Sequence, residues 1–166
     1  MLDAKKTEKL IDLLHKNCKY SLEQVATMLD ASLEDVGEAI DKLEKDGTIL
    51  GYGAIIDWDK VEGEDSVTAI IELKVIPQRQ QGFNRLAERI CQFNEVKSLY
   101  LMSGSYDYSV TIKCKNIRDI SAFVTERLAP MESIQSTATH FVLKRYKNDG
   151  IVSTQINEDD REVFLV

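Results

Sequence analysis

The fold is decided by residues 106–114, which read YDYSVTIKC. Aromatic and apolar residues occupy every second position of this segment, and polar residues occupy the positions between them. Because successive side chains of a strand point to opposite faces, the alternation predicts a strand with one buried face. Outward from this segment in both directions, the chain shows either the same period of two or the helical period of about 3.6 residues.

Six elements follow one another in the second half of the chain. Four strands are predicted, over residues 67–75, 96–102, 106–114 and 134–144. Two helices are predicted between them, over residues 83–91 and 117–128. The order β-α-β-β-α-β is typical of the ferredoxin-like fold, a four-stranded antiparallel sheet with two helices on one face.

The sheet face away from the helices is predicted to be apolar. Six large side chains are assigned to it: Ile70, Ile76, Leu99, Leu101, Phe141 and Leu143. Each Å² of apolar surface left in water costs about 25 cal/mol. We therefore expect this face to be buried against another subunit.

The first fifty residues show the pattern of three short helices. Apolar residues at helical spacing predict the first helix over residues 3–17. Ser21 and Ser32, each with a polar partner three residues later, predict the starts of the second and third helices. Gly47 predicts the end of the third. Three short helices with a tight turn before the last are typical of the helix-turn-helix motif, whose last helix enters the major groove of DNA.

The charge of this half of the chain is unevenly distributed. The whole chain has a net charge of −7, residues 1–19 have +2, and residues 20–63 have −8. The third helix is acidic, with Glu34, Asp35, Glu38, Asp41, Glu44 and Asp46 against Lys42 and Lys45. Any DNA affinity of this half must therefore come from a few lysines, backbone amides and dimeric display rather than from a broad basic field.

Composition disfavours several other kinds of site. The three cysteines are far apart and are predicted to be buried thiols in a reducing compartment. His15 and His140 have no partners at metal-ligand spacing, so no metal and no cofactor are predicted. No apolar run is long enough to span a bilayer and the N-terminus lacks the apolar stretch of a signal peptide, so the predicted location is the cytoplasm.

Three segments resemble those of one protein family. Residues 47–57, GTILGYGAIID, resemble the helix end and linking strand of Lrp/AsnC transcription regulators, where a Gly-x-Ile-x-Gly-Tyr-x-Ala-x-Ile-Asp run follows the recognition helix. Residues 102–107, MSGSYD, resemble the Gly-x-Tyr-Asp loop of the family's effector domain, and residues 136–139, STAT, resemble its last-strand threonine region. The resemblance extends from Leu2 to about Lys147 and departs at Ala39, where the family commonly has arginine.

The resemblance implies a regulator that binds double-stranded DNA and a small effector, an amino acid by class. It also implies that the linking strand pairs with its copy in a second subunit, giving a homodimer and then an octamer. The candidate DNA-binding residues are Lys5, Lys6 and Lys9 at phosphates, together with Ser21, Ser32, Glu34, Gly37, Glu38 and Lys42.

The candidate effector site is the loop between the second and third strands. Gly104 permits a tight hairpin there, loop amides suit a carboxylate, and Asp107 suits an ammonium group, so the loop suits a zwitterion. In the family, amino acids bind near this loop where dimers meet. The candidate residues are Met102, Ser103, Gly104, Ser105, Tyr106, Asp107, Thr137, Ala138 and Thr139. The alternative is that Asp107 only caps the turn and Tyr106 packs beneath it.

The predicted fold class is α+β. It comprises an N-terminal winged/helix-turn-helix domain (1–50), a linking strand and hinge (51–65), a ferredoxin-like βαββαβ effector and oligomerisation domain (66–147), and a tail (148–166) that makes a subunit contact. An enzyme is disfavoured because His140 stands nearly alone and no activated Ser, Cys or Lys arrangement occurs. The acidic third helix leaves one alternative open: an oligomerising interaction protein of the same fold with weak or no DNA binding.

Overall fold

The chain divides into two units, Met1–Ile55 and Ile56–Val166. The structure is a computed structural model that describes residues 2–61, 66–76 and 82–152. Most of the predicted hinge, residues 62–65, and the apolar end of the predicted tail, residues 163–166, lie outside the described residues. Among the helices that are described, none combines the length and apolar character needed to cross a bilayer.

The first unit contains three helices, α1 (Ala4–Lys16), α2 (Leu22–Leu29) and α3 (Leu33–Lys45). Each begins at a side chain that satisfies a backbone amide of its first turn: Asp3 caps α1, Ser21 caps α2 and Ser32 caps α3. Six apolar residues form the buried core between the helices: Leu10, Val25, Ala26, Leu29, Val36 and Leu43. The helix starts predicted at Ser21 and Ser32 are confirmed.

Backbone conformation explains the turn before α3 and the end of α3. Between α2 and α3, Asp30 adopts a left-handed conformation with φ 48°. After α3, Gly47 has φ 77°, a conformation that costs glycine little, and the amide of Ile49 donates to the carbonyl of Leu43 at 2.9 Å. The end of α3 predicted at Gly47 is confirmed.

The second unit contains the predicted six elements in the predicted order. They are β1 (Val67–Val75), α4 (Gly82–Cys91), β2 (Val96–Leu101), β3 (Tyr108–Cys114), α5 (Ile117–Ala122, continued by a π-helical segment Phe123–Leu128) and β4 (Ile134–Phe141). The sheet order is β2-β3-β1-β4, with all described pairs antiparallel, so the ferredoxin-like prediction is confirmed. The third and fourth strands are shorter than predicted.

The alternation predicted for the third strand gives the domain its core. Tyr108, Val110, Ile112 and Cys114 are all buried. The alternating residues of β1, Ala69, Ile71 and Leu73, lie beside them and are fully buried. Apolar side chains of α4 and α5, among them Ile90 and Ile120, cover this face and complete the core.

The predicted composition of the open sheet face is wrong at three positions. Residues directly opposite each other in an antiparallel pair share a face. Leu99 lies opposite Val110, Leu101 opposite Tyr108, and Phe141 opposite Ala69. Since these three partners belong to the core face, Leu99, Leu101 and Phe141 belong to it as well.

Two irregularities of register explain the error. The pairing of β2 shifts between Val96 and Ser98, and the pairing of β4 with β1 shifts between Lys74 and Val75. A one-residue shift moves every later side chain to the other face, so counting in twos from the start of each strand gives the wrong face. The open face instead carries Ile70, Glu72, Lys74, Tyr100, Thr111, Ala138 and His140. It is a mixed surface rather than an apolar one.

The predicted tail begins as a hairpin. Strands β5 (Lys147–Asn148) and β6 (Ile151–Val152) pair across Asp149 and Gly150, which have φ values of 44° and 82°. Two consecutive residues with positive φ are typical of a type I′ turn, for which Asp-Gly is a favoured sequence. The first residues of the predicted tail thus belong to a hairpin that the sequence analysis did not predict, although the Asp-Gly pair is its signal.

Candidate functional site

Helix α3 presents a polar stripe on its exposed side. Glu34, Glu38 and Lys42 are spaced four residues apart, all are exposed, and they therefore lie one above another on the helix surface. Gly37, another predicted contact, faces elsewhere: a Cβ at this position would lie 3.7 Å from Cδ2 of Leu22 in α2. Gly37 thus serves the packing of α3 on α2, while the other three form the surface of the predicted reading helix.

The two capping serines use their hydroxyl groups locally. Ser21 Oγ accepts from the amide of Gln24 at 3.3 Å, and Gln24 Oε1 accepts from the amide of Ser21 at 2.9 Å. Ser32 Oγ accepts from the amide of Asp35 at 3.1 Å and donates to its carboxylate at 2.9 Å. These contacts define where α2 and α3 start, which is the structural role that the sequence predicts for both residues.

The three predicted phosphate-binding lysines of α1 differ in their surroundings. Lys5 and Lys9 are exposed and lie one helical turn apart. Lys6 is half-buried, and its ammonium group donates to the carbonyl of Asp30 at the turn between α2 and α3. Lys6 therefore ties α1 to that turn, a role that spacing along α1 could not reveal because its partner lies 24 residues away.

The segment after α3 is anchored to that helix by a residue the sequence analysis did not assign. The hydroxyl of Tyr52 donates to Oε1 of Glu44 at 2.8 Å. Partial burial raises the pKa of Tyr52, and the Glu44 carboxylate raises it further, so the phenol keeps its proton. Residues 51–57 form no ladder with another strand of the described chain. Their pairing with a second copy stays a prediction.

The effector loop is closed by backbone hydrogen bonds at its base. The amide of Met102 donates to the carbonyl of Asp107 at 2.8 Å, and the amide of Asp107 donates to the carbonyl of Leu73 at 2.9 Å. Between these anchors, Ser103, Gly104 and Ser105 are exposed. The loop is thus a short exposed turn that connects β2 to β3 and lies beside the end of β1.

The carboxylate of Asp107 has a structural partner. Its Oδ2 accepts from the amide of Val75 at 2.8 Å and so takes the place of a carbonyl in the next rung beside β1. This geometry agrees with the alternative in which Asp107 caps the turn. A carboxylate has about four acceptor sites, however, so one hydrogen bond does not exhaust its capacity for an ammonium ligand.

Lys74 is the residue of this region that the sequence analysis missed. Its Nζ lies 3.3 Å from the carbonyl oxygen of Ser105, across the loop. The side chain reaches the loop from the open face of the sheet, where the strand alternation places it. A cation at this point gives the loop a second charged group, of the sign that an effector carboxylate requires.

The threonine region lies on the far side of β1 from the loop. Thr137 and Thr139 lie opposite Leu73 and Ile71, half-buried on the core side, whereas Ala138 lies exposed on the open face opposite Glu72. Two strand spacings, about 10 Å, separate this segment from the loop. One chain therefore does not bring Thr137, Ala138 and Thr139 into direct contact with the loop.

Buried groups around the loop keep their protons. The hydroxyl of Tyr108 donates to the carbonyl of Phe83 at 2.7 Å, and burial raises its pKa, with a further contribution from Asp107. At the other end of β3, burial likewise raises the pKa of the Cys114 thiol. Cys18 and Cys91 are exposed, so the burial predicted for all three cysteines is wrong for these two. In the part of the chain that the structure describes, no three His, Cys, Asp or Glu side chains gather into a potential metal site.

Comparisons with known proteins agree on one family. Residues 68–152 match the Lrp/AsnC ligand-binding domain. The HTH-type transcriptional regulator YugG of Bacillus subtilis is 45% identical over 164 residues, which cover 99% of this chain and 98% of YugG.

Two solved structures share the fold. Escherichia coli AsnC superposes with a TM-score of 0.64 at 19% identity, over 87% of this chain and 95% of that one. A transcriptional regulator from Neisseria meningitidis, determined in complex with L-Met, superposes with a TM-score of 0.67 at 22% identity, over 95% and 98%. Together with the family match and the identity to YugG, these findings show that the chain is a member of the Lrp/AsnC family of helix-turn-helix transcriptional regulators, which are not enzymes.

Proposed function

We propose that this protein is a sequence-specific DNA-binding transcription regulator of the cytoplasm whose DNA affinity or oligomeric state responds to a small effector. The observation that carries the proposal is the capped α2–turn–α3 segment, with the Glu34, Glu38 and Lys42 stripe on its exposed side. In this motif the last helix, here α3, lies in the major groove and contacts base edges.

The residues of the stripe suggest which side chains contact bases and which contact phosphates. Glutamate accepts hydrogen bonds from the cytosine amino group, so Glu34 and Glu38 suit base contacts. Lys42, Lys5 and Lys9 suit phosphates, as do the exposed N-terminal ends of α2 and α3 at Ser21 and Ser32. In this proposal Lys6 and Gly37 support the domain instead, because their contacts lie within it.

The proposed function requires two copies of the chain, so that two α3 helices can contact one DNA site. Leu50, Ile55 and Ile56 of the linking segment are all exposed, Leu50 by 94%. Pairing this segment with its copy would cover them and display two reading helices, and helix-turn-helix dimers bind half-sites about 34 Å apart. We propose a homodimer that assembles further into an octamer.

The effector is proposed to be an amino acid held at the 102–107 loop. Lys74 and the loop amides suit its carboxylate, and the remaining acceptor sites of Asp107 suit its ammonium group. The fold neighbour from Neisseria meningitidis, determined with L-Met, supports this class of ligand. Because the threonine segment is about 10 Å from the loop, we place Thr137, Ala138 and Thr139 against an effector held where subunits meet.

The acidic surface of α3 favours a second candidate. Its exposed side carries more carboxylates than lysines, and carboxylates near phosphates weaken binding. A protein of this fold that oligomerises with a relative, and has weak or no DNA binding of its own, would have this surface.

Titration against DNA separates the two candidates. The full chain is titrated into a labelled duplex from the promoter of its own gene, and into a shuffled duplex of equal length, at 50 to 200 mM salt. A regulator binds the promoter more tightly and loses affinity steeply as salt rises, because lysine–phosphate contacts release counterions. Equal, weak binding to both duplexes by a stable oligomer would favour the interaction protein.

A pair of substitutions separates the two roles of Asp107. Asp107→Asn keeps an oxygen for the amide of Val75 but removes the charge, whereas Asp107→Ala removes both. We expect Asp107→Asn to leave the dimer and its stability nearly unchanged and to weaken amino-acid binding about tenfold or more. Calorimetric titration with the L-amino acids measures the change. Wild-type affinity in Asp107→Asn would limit Asp107 to its capping role.

A further inference from the structure

The two domains have opposite net charges, and residues 148–166 add a further −4. Residues 1–65 carry eight lysines and no arginine against sixteen acidic residues, a net charge of −8. Residues 66–147 carry twelve lysines and arginines against seven acidic residues, a net charge of +5. The proposed reading unit is thus acidic, and the positive charge that a polyanion requires is concentrated in the other domain.

Many of these cations gather at one end of the sheet. This end, where β1 and β2 begin and β3 and β4 finish, we call the basic end. It is defined by Lys97 in β2, Lys113 in β3, Lys115 directly after β3, Arg118 in α5 and Lys144 after β4. The effector loop lies at the opposite end, where β2 finishes and β3 begins.

A cleft occupies part of the basic end. It has a volume of about 540 Å³, and Lys97, Lys113 and Lys115 line it together with Ser66, where the chain enters β1. Lys113 is held in place because its Nζ lies 3.6 Å from the centre of the Trp58 ring. Lys97 Nζ donates to the carbonyl of Asn94 at 3.0 Å, which uses one of the three donors of an ammonium group.

Two of the described side chains that line the cleft are acidic. Glu95 and Asp119 line it, and the Asp119 carboxylate accepts from the side-chain amide of Asn116 at 3.1 Å. Lys115 and Arg118 line the adjoining cleft, and both side chains are exposed. Among the described residues that define the basic end or line its clefts, five are cationic and two are acidic. Glu62, Glu64 and Asp65, which precede Ser66 in the chain, lie outside the described residues.

The basic end extends across the whole sheet. Lys97 lies in β2, one edge strand, and Lys144 follows β4, the other edge strand. The chain after β4 stays beside the sheet, since the amide of Val142 donates to the carbonyl of Thr68 in β1. Three strand spacings, about 14 Å, separate the edges. A duplex carries one phosphate charge per about 1.7 Å of its axis, so a row of this width can meet several phosphates, whereas a small anion would meet one or two cations.

We propose that the basic end of the second domain binds the sugar–phosphate backbone of double-stranded DNA and supplies electrostatic affinity that the acidic reading unit lacks. The inference rests on the proposed function, since it requires DNA on the protein. It assigns sequence reading to α3 and a large part of the salt-dependent, sequence-independent attraction to a domain on the other side of the linker.

The test compares two variants of the full chain that each lose three positive charges. Lys97→Gln/Lys115→Gln/Arg118→Gln neutralises exposed positions of the basic end. Arg85→Gln/Arg89→Gln/Arg127→Gln neutralises three exposed positions of α4 and the π-helical segment, and is the control with matched charge. Melting curves and sedimentation establish that both variants fold and assemble, and binding to promoter and shuffled duplexes is measured by anisotropy over a range of salt concentrations.

The basic-end variant is expected to bind both duplexes about tenfold or more weakly, with a shallower salt dependence by about 0.9 per lost phosphate contact in the plot of log K against log salt. Its preference for the promoter over the shuffled duplex should persist, and the control should bind as wild type. Equal losses in the two variants, or an unchanged slope in the basic-end variant, would overturn the inference while wild-type binding upholds the proposed function. A changed oligomer with an unchanged slope would also overturn it, in favour of contact with a second copy. Absence of promoter preference in the wild type would remove the proposed function itself.

Discussion

The two units of this chain are stabilised in different ways. The helical unit has six buried apolar residues, and its helices start at side chains that cap their own first turns. Among its described residues, the sheet unit has fourteen buried residues in one cluster, and β1 pairs with β3 and β4, which lie far from it along the chain. The comparison teaches that the loss of a single buried side chain or helix cap removes a larger share of the stability of the helical unit than of the sheet unit.

The largest expected effect comes from truncating one core residue in each unit. Leu10→Ala and Ile71→Ala both remove fully buried side chains, and each should lower the free energy of unfolding of its own unit by about 2–5 kcal/mol. With its small core, the helical unit should unfold in Leu10→Ala while the sheet unit remains folded. Calorimetry and circular dichroism would show two separate transitions, and Leu50→Ala, at a side chain 94% exposed, is the control. If both units melted together in every variant, the contrast between them would be lost.

A smaller effect is expected from removing one helix cap in each unit. Ser32 caps α3 and Asn116 caps α5, each through the amide three residues later. Ser32→Ala and Asn116→Ala should each cost about 1 kcal/mol. In the helical unit that cost is a large fraction of the total stability, so Ser32→Ala should visibly lower its melting temperature. Replacing Ser32 by Asp, which also caps, should restore it. An equal shift of both units in either variant would contradict the division.

The smallest effect concerns pH and is tested at Tyr108 in the sheet unit. Burial raises the pKa of Tyr108, so the folded protein keeps a proton that the unfolded chain loses at about pH 10. The resulting stability is present below the ordinary tyrosine pKa and is lost as pH rises through the raised value. Urea unfolding at pH 8 and above pH 10 should show a larger loss for wild type than for Tyr108→Phe. A Tyr108→Phe protein with the same alkaline loss as wild type would show that other groups cause it.

The sequence identified the local features that start α2 and α3 and end α3, although it missed the local Asp149-Gly150 turn. The capping pairs Ser21–Gln24 and Ser32–Asp35 span three residues, and Gly47 marks the end of α3 by its own conformational freedom. The alternation over residues 108–114 likewise gave the buried face of β3 directly. Composition and spacing, together with the resemblance, therefore sufficed for the element order, the fold class and the family.

Three features were decided only when distant segments met. The register shifts at Val96/Ser98 and Lys74/Val75 place Leu99 and Phe141 on the core face of the sheet, since pairing between strands rather than the period within one strand sets the face. Lys6 donates to the carbonyl of Asp30, 24 residues away in the sequence, and the carboxylate of Asp107 accepts from the amide of Val75, 32 residues away. A sequence states which groups need partners, but the partner is chosen by whichever donor or acceptor the folded chain brings within reach. For that reason the spacing of apolar and capping residues in the sequence was enough to predict the fold. The hydrogen-bond partners of individual side chains at the candidate sites were decided only by the tertiary structure.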